Sequence, residues 1–256
     1  MARLSATFFS GALGTTTHAE IIFPMRIPLE VPPTRVLYLL HGMRGGCTNW
    51  LEDTRISHYA NLHNYIVVMP EVQNSFYTDM AYGANYFTYA AHELPQLVEH
   101  MLNVKHSSEN TFVAGFSMGG YGALRIALNR PDFFAAAAAF GGALDAQGIF
   151  KTLPTMDEAS RKIAVSIAGE GLQVPEGGDL FSLASAVGNA PAKPRIFVTC
   201  GESDFLLEAN RAFAKHIQAL PFDFEYKEWA GEHTWCFCEE SLPLMFDFFH
   251  KKGEFA

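Results

Sequence analysis

The 256-residue chain is short of charge clusters, of long apolar runs and of paired cysteines. Its 18 Lys and Arg are scattered among 27 Asp and Glu, for a net charge of −9. A surface of that sign repels a phosphate backbone, so nucleic acid is not an expected partner. No stretch approaches the roughly 18 uncharged apolar residues that a spanning helix needs, which argues against a membrane segment. The cysteines Cys47, Cys200, Cys236 and Cys238 contain no CxxC pair. They read as free thiols of a reducing compartment, not as a zinc knuckle or disulfide framework. The opening MARLSATFFSGALG has one arginine before apolar residues, as a signal peptide does. Ser5, Thr7, Ser10 and Gly11 break its apolar core, so a cytoplasmic location is expected.

No repeat, low-complexity tract or Ser/Gly/Pro linker divides the chain. Its composition, 49% hydrophobic and 13% aromatic, is rich enough in core formers for one large packed domain. Leu4–Phe9 and Thr16–Met25 read as extended segments around Gly11–Gly14, forming a hairpin. Six short apolar runs follow at Arg35–Leu40, Tyr65–Met69, Thr111–Phe116, Ala135–Phe140, Arg195–Cys200 and Phe222–Trp229. Near-continuous apolarity over that length is what strands buried on both faces show. Glu93–Val104, Tyr121–Asn129, Glu208–Ala219 and Leu242–Lys251 carry helical spacing. Alternation of this kind predicts a mostly parallel sheet with helices on both faces. Between Asp145 and Lys193 the alternation stops. Glu158–Ala168 reads as a helix there, and Asp179 as the N-cap of Leu180–Val187. An insertion at this place reads equally as a lid or as a subunit contact, which leaves a homo-oligomer open.

Chemistry concentrates at Gly115-Phe116-Ser117-Met118-Gly119. A G-x-S-x-G match alone is weak, but here a strand runs into the serine and a helix follows it. That is the setting of a nucleophile elbow, whose sharp turn needs glycines two residues either side. The bland alternative is a glycine-rich turn carrying an idle serine. A nucleophilic serine needs a base and an orienting acid. Of ten histidines, His92, His100, His216 and His250 fall on expected helices and read as packing or surface residues. His233 lies between the last strand and the last helix, where a base belongs. For the acid, Asp204 follows the strand Arg195–Cys200 and is favoured over Glu202, two residues earlier, and over Asp223, at the far end of the next strand. The oxyanion donors are expected to be the N–H groups of Met118 and of Met43, in His41-Gly42-Met43-Arg44-Gly45-Gly46. That loop lacks the ending of a P-loop, which disfavours a nucleotide. Asp79 reads as a structural carboxylate.

Taken together, these segments resemble the esterase D / tributyrin esterase group of α/β-hydrolases, related to S-formylglutathione hydrolases and feruloyl esterases. The resemblance rests on Tyr38-Leu39-Leu40-His41-Gly42-Met43 with Trp50, on Ser75–Gly83, on Glu93-Leu94-Pro95, on Ala114–Gly122, on Gly201–Leu206 with Asn210, and on Gly231–Trp235. It covers about residues 5–250. It implies an α/β-hydrolase fold in a single domain over 1–256, with an N-terminal antiparallel hairpin and an insertion at about 145–193. It also implies a carboxylic-ester hydrolase using Ser117, Asp204 and His233, with Met43 and Met118 as oxyanion donors and no metal or organic cofactor.

The expected substrate is a small-molecule ester of acetyl to butyryl chain length. A feruloyl or cinnamoyl ester, an acylated sugar and S-formylglutathione are the alternatives, and a binding module without catalysis is the remote one. Trp50, Tyr82, Tyr121 and Trp235 are candidates for lining the site, although an aromatic residue is more often core. Cys47 only loosely echoes the cysteine segment of formylglutathione hydrolases. Cys236 and Cys238, standing where the group carries bulkier residues, are expected to widen a pocket wall.

Overall fold

The computed structural model describes residues 1–25 and 33–250. Eight strands form one sheet in the order β1-β2-β4-β3-β5-β6-β7-β8. They are β1 (Ala2–Ser10), β2 (Thr15–Phe23), β3 (Arg35–Leu40), β4 (Tyr65–Pro70), β5 (Thr111–Phe116), β6 (Ala136–Phe140), β7 (Arg195–Gly201) and β8 (Phe224–Trp229). The hairpin β1–β2 joins antiparallel to β4, and every pairing from β4 through β8 is parallel.

The helices are α1 (Asn49–Asp53), α2 (Ile56–His63), α3 (Tyr86–Thr88), α4 (Leu94–Leu102), α5 (Met118–Asn129), α6 (Ala146–Met156), α7 (Glu158–Ala168), α8 (Leu180–Val187), α9 (Leu207–Gln218) and α10 (Trp235–His250). A π-turn, Tyr89–Glu93, links α3 to α4.

Side chains of a strand alternate between faces, and here both faces are covered. Val36, Tyr38 and Leu40 of β3 join the core under α4, α5, α8 and α9. Leu37 and Leu39 join the core under α2 and α10. Alanines at four consecutive positions of β6 leave room for α5, which is buried at every residue but Asn129.

Three elements depart from the sequence reading. Gly148 and Pro154 hid α6, which Asp145 caps by accepting the Gly148 amide at 2.9 Å. The last helix begins at Trp235, not Leu242, because it carries Pro243 in its interior instead of near its start; Lys251, its expected end, lies outside the described residues. The helix expected over Glu93–Val104 is shortened by the π-turn before it. By contrast, Glu158–Ala168 and the Asp179-capped Leu180–Val187 stand at the expected bounds.

Candidate active site

Parallel strands bring their C-terminal ends to one edge, and β5 lies between β3 and β6 there. Ser117 follows β5 directly and precedes α5, with φ 57° and ψ −117°. That left-handed backbone is costly for a residue with a Cβ, and strain of this sort collects at functional positions. Two glycines make the turn feasible. A Cβ on Gly119 would stand 2.2 Å from the Leu40 carbonyl oxygen, and one on Gly115 would stand 2.3 Å from the Gly119 backbone. The Ser117 amide donates to Phe140 O at 3.0 Å, and its carbonyl accepts from Tyr121 and Ala143 at 3.1 and 3.0 Å. The hydroxyl is thereby held above the sheet edge.

The loops after β7 and β8 bring the other two side chains to it. His233 Nε2 lies 2.9 Å from Ser117 Oγ, and His233 Nδ1 lies 2.7 Å from Asp204 Oδ2. The Asp204 side chain has no exposed surface, and its other oxygen accepts the Leu206 amide at 2.8 Å. The two loops are tied together by the Ser203 amide donating to Gly231 O at 2.9 Å. Phe116 and Phe205 flank the imidazole, with centroids 4.4 and 4.6 Å away. Neither rival acid reaches the histidine. Glu202 is exposed and engages Trp229 O through its own amide, and Asp223 sits at the opposite end of β8, pairing its carbonyl with Ile196. With a carboxylate accepting at Nδ1, the proton sits there and Nε2 presents its lone pair to the Ser117 hydroxyl.

The loop after β3 approaches from the other side. A Cβ on Gly42 would come within 3.4 Å of Ser117 Cβ, so the backbone leading to Met43 passes beside Ser117. Met118 opens α5, where helix amides have no intrahelical acceptor.

His41, seen in the sequence only as part of a motif, fastens this loop. Its buried ring donates from Nδ1 to Gly42 O at 2.8 Å and accepts the Val72 amide at Nε2 at 3.2 Å. Those partners require the neutral ring, and burial holds its pKa below the usual histidine value. The Tyr77 hydroxyl donates to His41 O at 3.0 Å, completing the anchor.

Two cavities meet at Ser117 and His233. The larger, about 690 Å³, is walled by Met43, Met118, Phe76, Phe205 and by Ile149, Leu153 and Met156 of α6. The smaller, about 180 Å³, is bordered by Arg44, Gly45, Asn49 and Trp235. The spacing of 149, 153 and 156 is one face of a helix, a signal present in the sequence but masked by Gly148 and Pro154. Arg44 stands on the rim of both cavities; its guanidinium donates to Ser160 Oγ of α7 at 3.2 Å.

Of the four aromatic candidates, Trp235 borders one of these two cavities and the other three border neither. Trp50 is fully buried, its indole donating to Leu40 O at 3.1 Å and packing edge-on against Trp235. Tyr121 is equally buried, with its hydroxyl on Gly178 O at 2.8 Å. Tyr82 is 63% exposed and borders neither cavity. Cys236 and Cys238 do not widen a wall: on α10, Cys236 faces solvent and Cys238 is packed into the core. Asp79 is structural, accepting the Thr88 amide and hydroxyl at 2.9 and 2.7 Å.

This is the fold of the α/β-hydrolases, and its neighbours among solved structures are serine hydrolases. Residues 10–248 match the sequence model of the family described as putative esterases; the chain belongs to that family and is a carboxylic-ester hydrolase. The acetyl esterase of Caldicellulosiruptor saccharolyticus is 28% identical over 267 residues, spanning 99% of this chain and 100% of that protein. The substrate-bound structure of FphF, a fluorophosphonate-binding serine hydrolase of Staphylococcus aureus, superposes with a TM-score of 0.88 at 27% identity, covering 98% of this chain and 99% of that one. FrmB, an S-formylglutathione hydrolase of the same organism, gives 0.83 at 27% identity over 97% and 98%.

Proposed function

We propose that the protein hydrolyses short-chain carboxylic esters, acetyl to butyryl, by two-step acyl transfer through Ser117. The observation that carries this reading is the single imidazole of His233 bonded to Ser117 on one nitrogen and to Asp204 on the other. His233 takes the Ser117 proton as Oγ attacks the ester carbonyl. The Met43 and Met118 amides receive the oxyanion, supplying stabilisation where negative charge develops. Collapse expels the alcohol with the proton from His233. Water then attacks the acyl-enzyme by the same route in reverse, releasing the acid and restoring Ser117. No step asks for a metal or organic cofactor.

The acyl group fits the larger, apolar cavity, and the alcohol fits the smaller one beside Arg44 and Asn49. The relationship to an acetyl esterase supports a short acyl group. A second reading, an aromatic acyl such as feruloyl, is favoured by one feature: about 690 Å³ exceeds what an acetyl or butyryl group fills. An acylated sugar is compatible with the polar rim of the smaller cavity. The helices α6 and α7 act in this reading as a lid over the acyl site. A reducing, cytoplasmic setting agrees with four free cysteines, and among the described residues no helix is long and apolar enough to cross a membrane.

The test is a p-nitrophenyl ester series from C2 to C12 beside methyl ferulate and S-formylglutathione, with mass spectrometry of the quenched enzyme. The proposal expects the highest kcat/KM at C2 to C4 and an acyl increment on the peptide containing Ser117. An increment on any other residue overturns the mechanism. A ferulate rate above the butyrate rate overturns the short-chain assignment.

A further inference from the structure

Three residues of different elements converge where the loop after β3 meets β2 and the end of β4. His18 is on β2, Cys47 is in that loop, and Glu71 follows β4. A ring nitrogen of His18, the Cys47 sulfur and a Glu71 carboxylate oxygen all lie within 4.8 Å of one another. We infer that His18, Cys47 and Glu71 form a binding site for a thiophilic divalent cation of the zinc or cadmium kind, with a fourth position open to solvent.

The donor set has the right chemistry. Thiolate, imidazole and carboxylate are the three groups that bind zinc, with bonds of about 2.0 to 2.3 Å. A tetrahedral ion therefore wants its ligand atoms roughly 3.5 Å apart. Side-chain adjustments on the order of 1 Å bring atoms that lie within 4.8 Å of one another to that spacing, and His18 is exposed and free of packing constraint on its solvent side. A thiolate and a carboxylate together neutralise a doubly charged ion, so loading leaves no unpaired charge beside the buried sulfur.

The anchor is already in place. Glu71 accepts the Cys47 amide at 3.1 Å through one oxygen and the Gln73 amide at 2.8 Å through the other. Its carboxylate is thus fixed while keeping lone pairs for a further ligand. The backbone couples the same elements, with the Glu71 amide donating to His18 O at 3.1 Å.

The Cys47 sulfur is buried, and a metal bound there competes with the proton it carries. On binding, the S–H bond breaks and an S–metal bond forms. The proton leaves to solvent, and the hydrated ion sheds water to the three ligands.

The site is independent of the Ser117 reaction, so its failure would leave the proposed function standing. The test titrates the purified protein with Cd²⁺ and follows the ultraviolet thiolate-to-cadmium charge-transfer band. We expect a band saturating at one ion per chain in the wild type and in Cys236→Ser, which removes the exposed thiol. Cys47→Ser abolishes it, and His18→Ala weakens cadmium affinity at least about tenfold, at the low end of what lost metal-site partners cost. Absence of the band in the wild type, its survival in Cys47→Ser, or unchanged affinity in His18→Ala overturns the site. Should Cys47→Ser fail to fold, the exposed His18→Ala decides alone.

Discussion

Asp204 and His233 are joined by a 2.7 Å contact between Oδ2 and Nδ1, and both carboxylate oxygens of Asp204 are committed, one to the ring and one to the Leu206 amide. Glu202, only two residues earlier, points into solvent. In the proposed mechanism a carboxylate so placed selects the ring tautomer and steadies the imidazolium that forms during turnover. Removing its charge while keeping its shape should cost on the order of 10⁴ in kcat. Asp204→Asn is therefore expected to lose about that factor, and Glu202→Gln to stay within a few-fold of wild type. Steady-state kinetics on p-nitrophenyl acetate separates them, and equal losses would transfer the orienting role elsewhere.

How much of this was legible beforehand follows from burial. Strands β3 to β7 are apolar at nearly every position because both their faces are covered, and such runs stand out in a sequence. Ser117, Asp204 and His233 sit where strands end, so finding the strands located them. The aromatic residues behaved differently. Trp50 and Tyr121 neighbour the motifs in sequence, but sequence proximity does not say which side of the backbone a ring takes, and both rings lie inside the core. The α6 wall was hidden by Gly148 and Pro154, whose local preferences oppose a helix that packing nonetheless holds.

The assignment of the larger cavity to the acyl group has a direct consequence. Ile149 is half-buried on α6 and faces that cavity, so a larger side chain there can grow into free space. Each buried methylene contributes about 0.8 kcal/mol, roughly fourfold in kcat/KM. Ile149→Trp should leave acetyl hydrolysis within a few-fold of wild type and lower the hexanoyl-to-acetyl ratio of kcat/KM by at least about tenfold. An unchanged ratio would place the acyl chain in another channel.

Acid should weaken the fold through histidines that are buried neutral. Burial holds His41 and His106 below the ordinary histidine value of 6.5. Each then contributes stability that is complete above pH 6.5 and is lost as pH falls towards its folded value, because the unfolded chain takes up the proton first. The slope is at most about 1.4 kcal/mol per pH unit for each histidine. Urea unfolding is expected to give a lower midpoint at pH 5.5 than at pH 7.5. His41→Gln should show a smaller drop. A midpoint constant between the two pH values would contradict the neutral-ring geometry at Gly42 and Val72.

The central claim is that Ser117 is the nucleophile, and turnover by Ser117→Ala tests it most directly. Removing a triad nucleophile typically lowers kcat by about 10⁴ to 10⁶, the remainder coming from binding and the oxyanion donors. With circular dichroism and thermal unfolding matched to wild type, the account predicts hydrolysis of p-nitrophenyl acetate reduced by a factor in that range. A folded Ser117→Ala protein that kept more than a few per cent of wild-type kcat would contradict it.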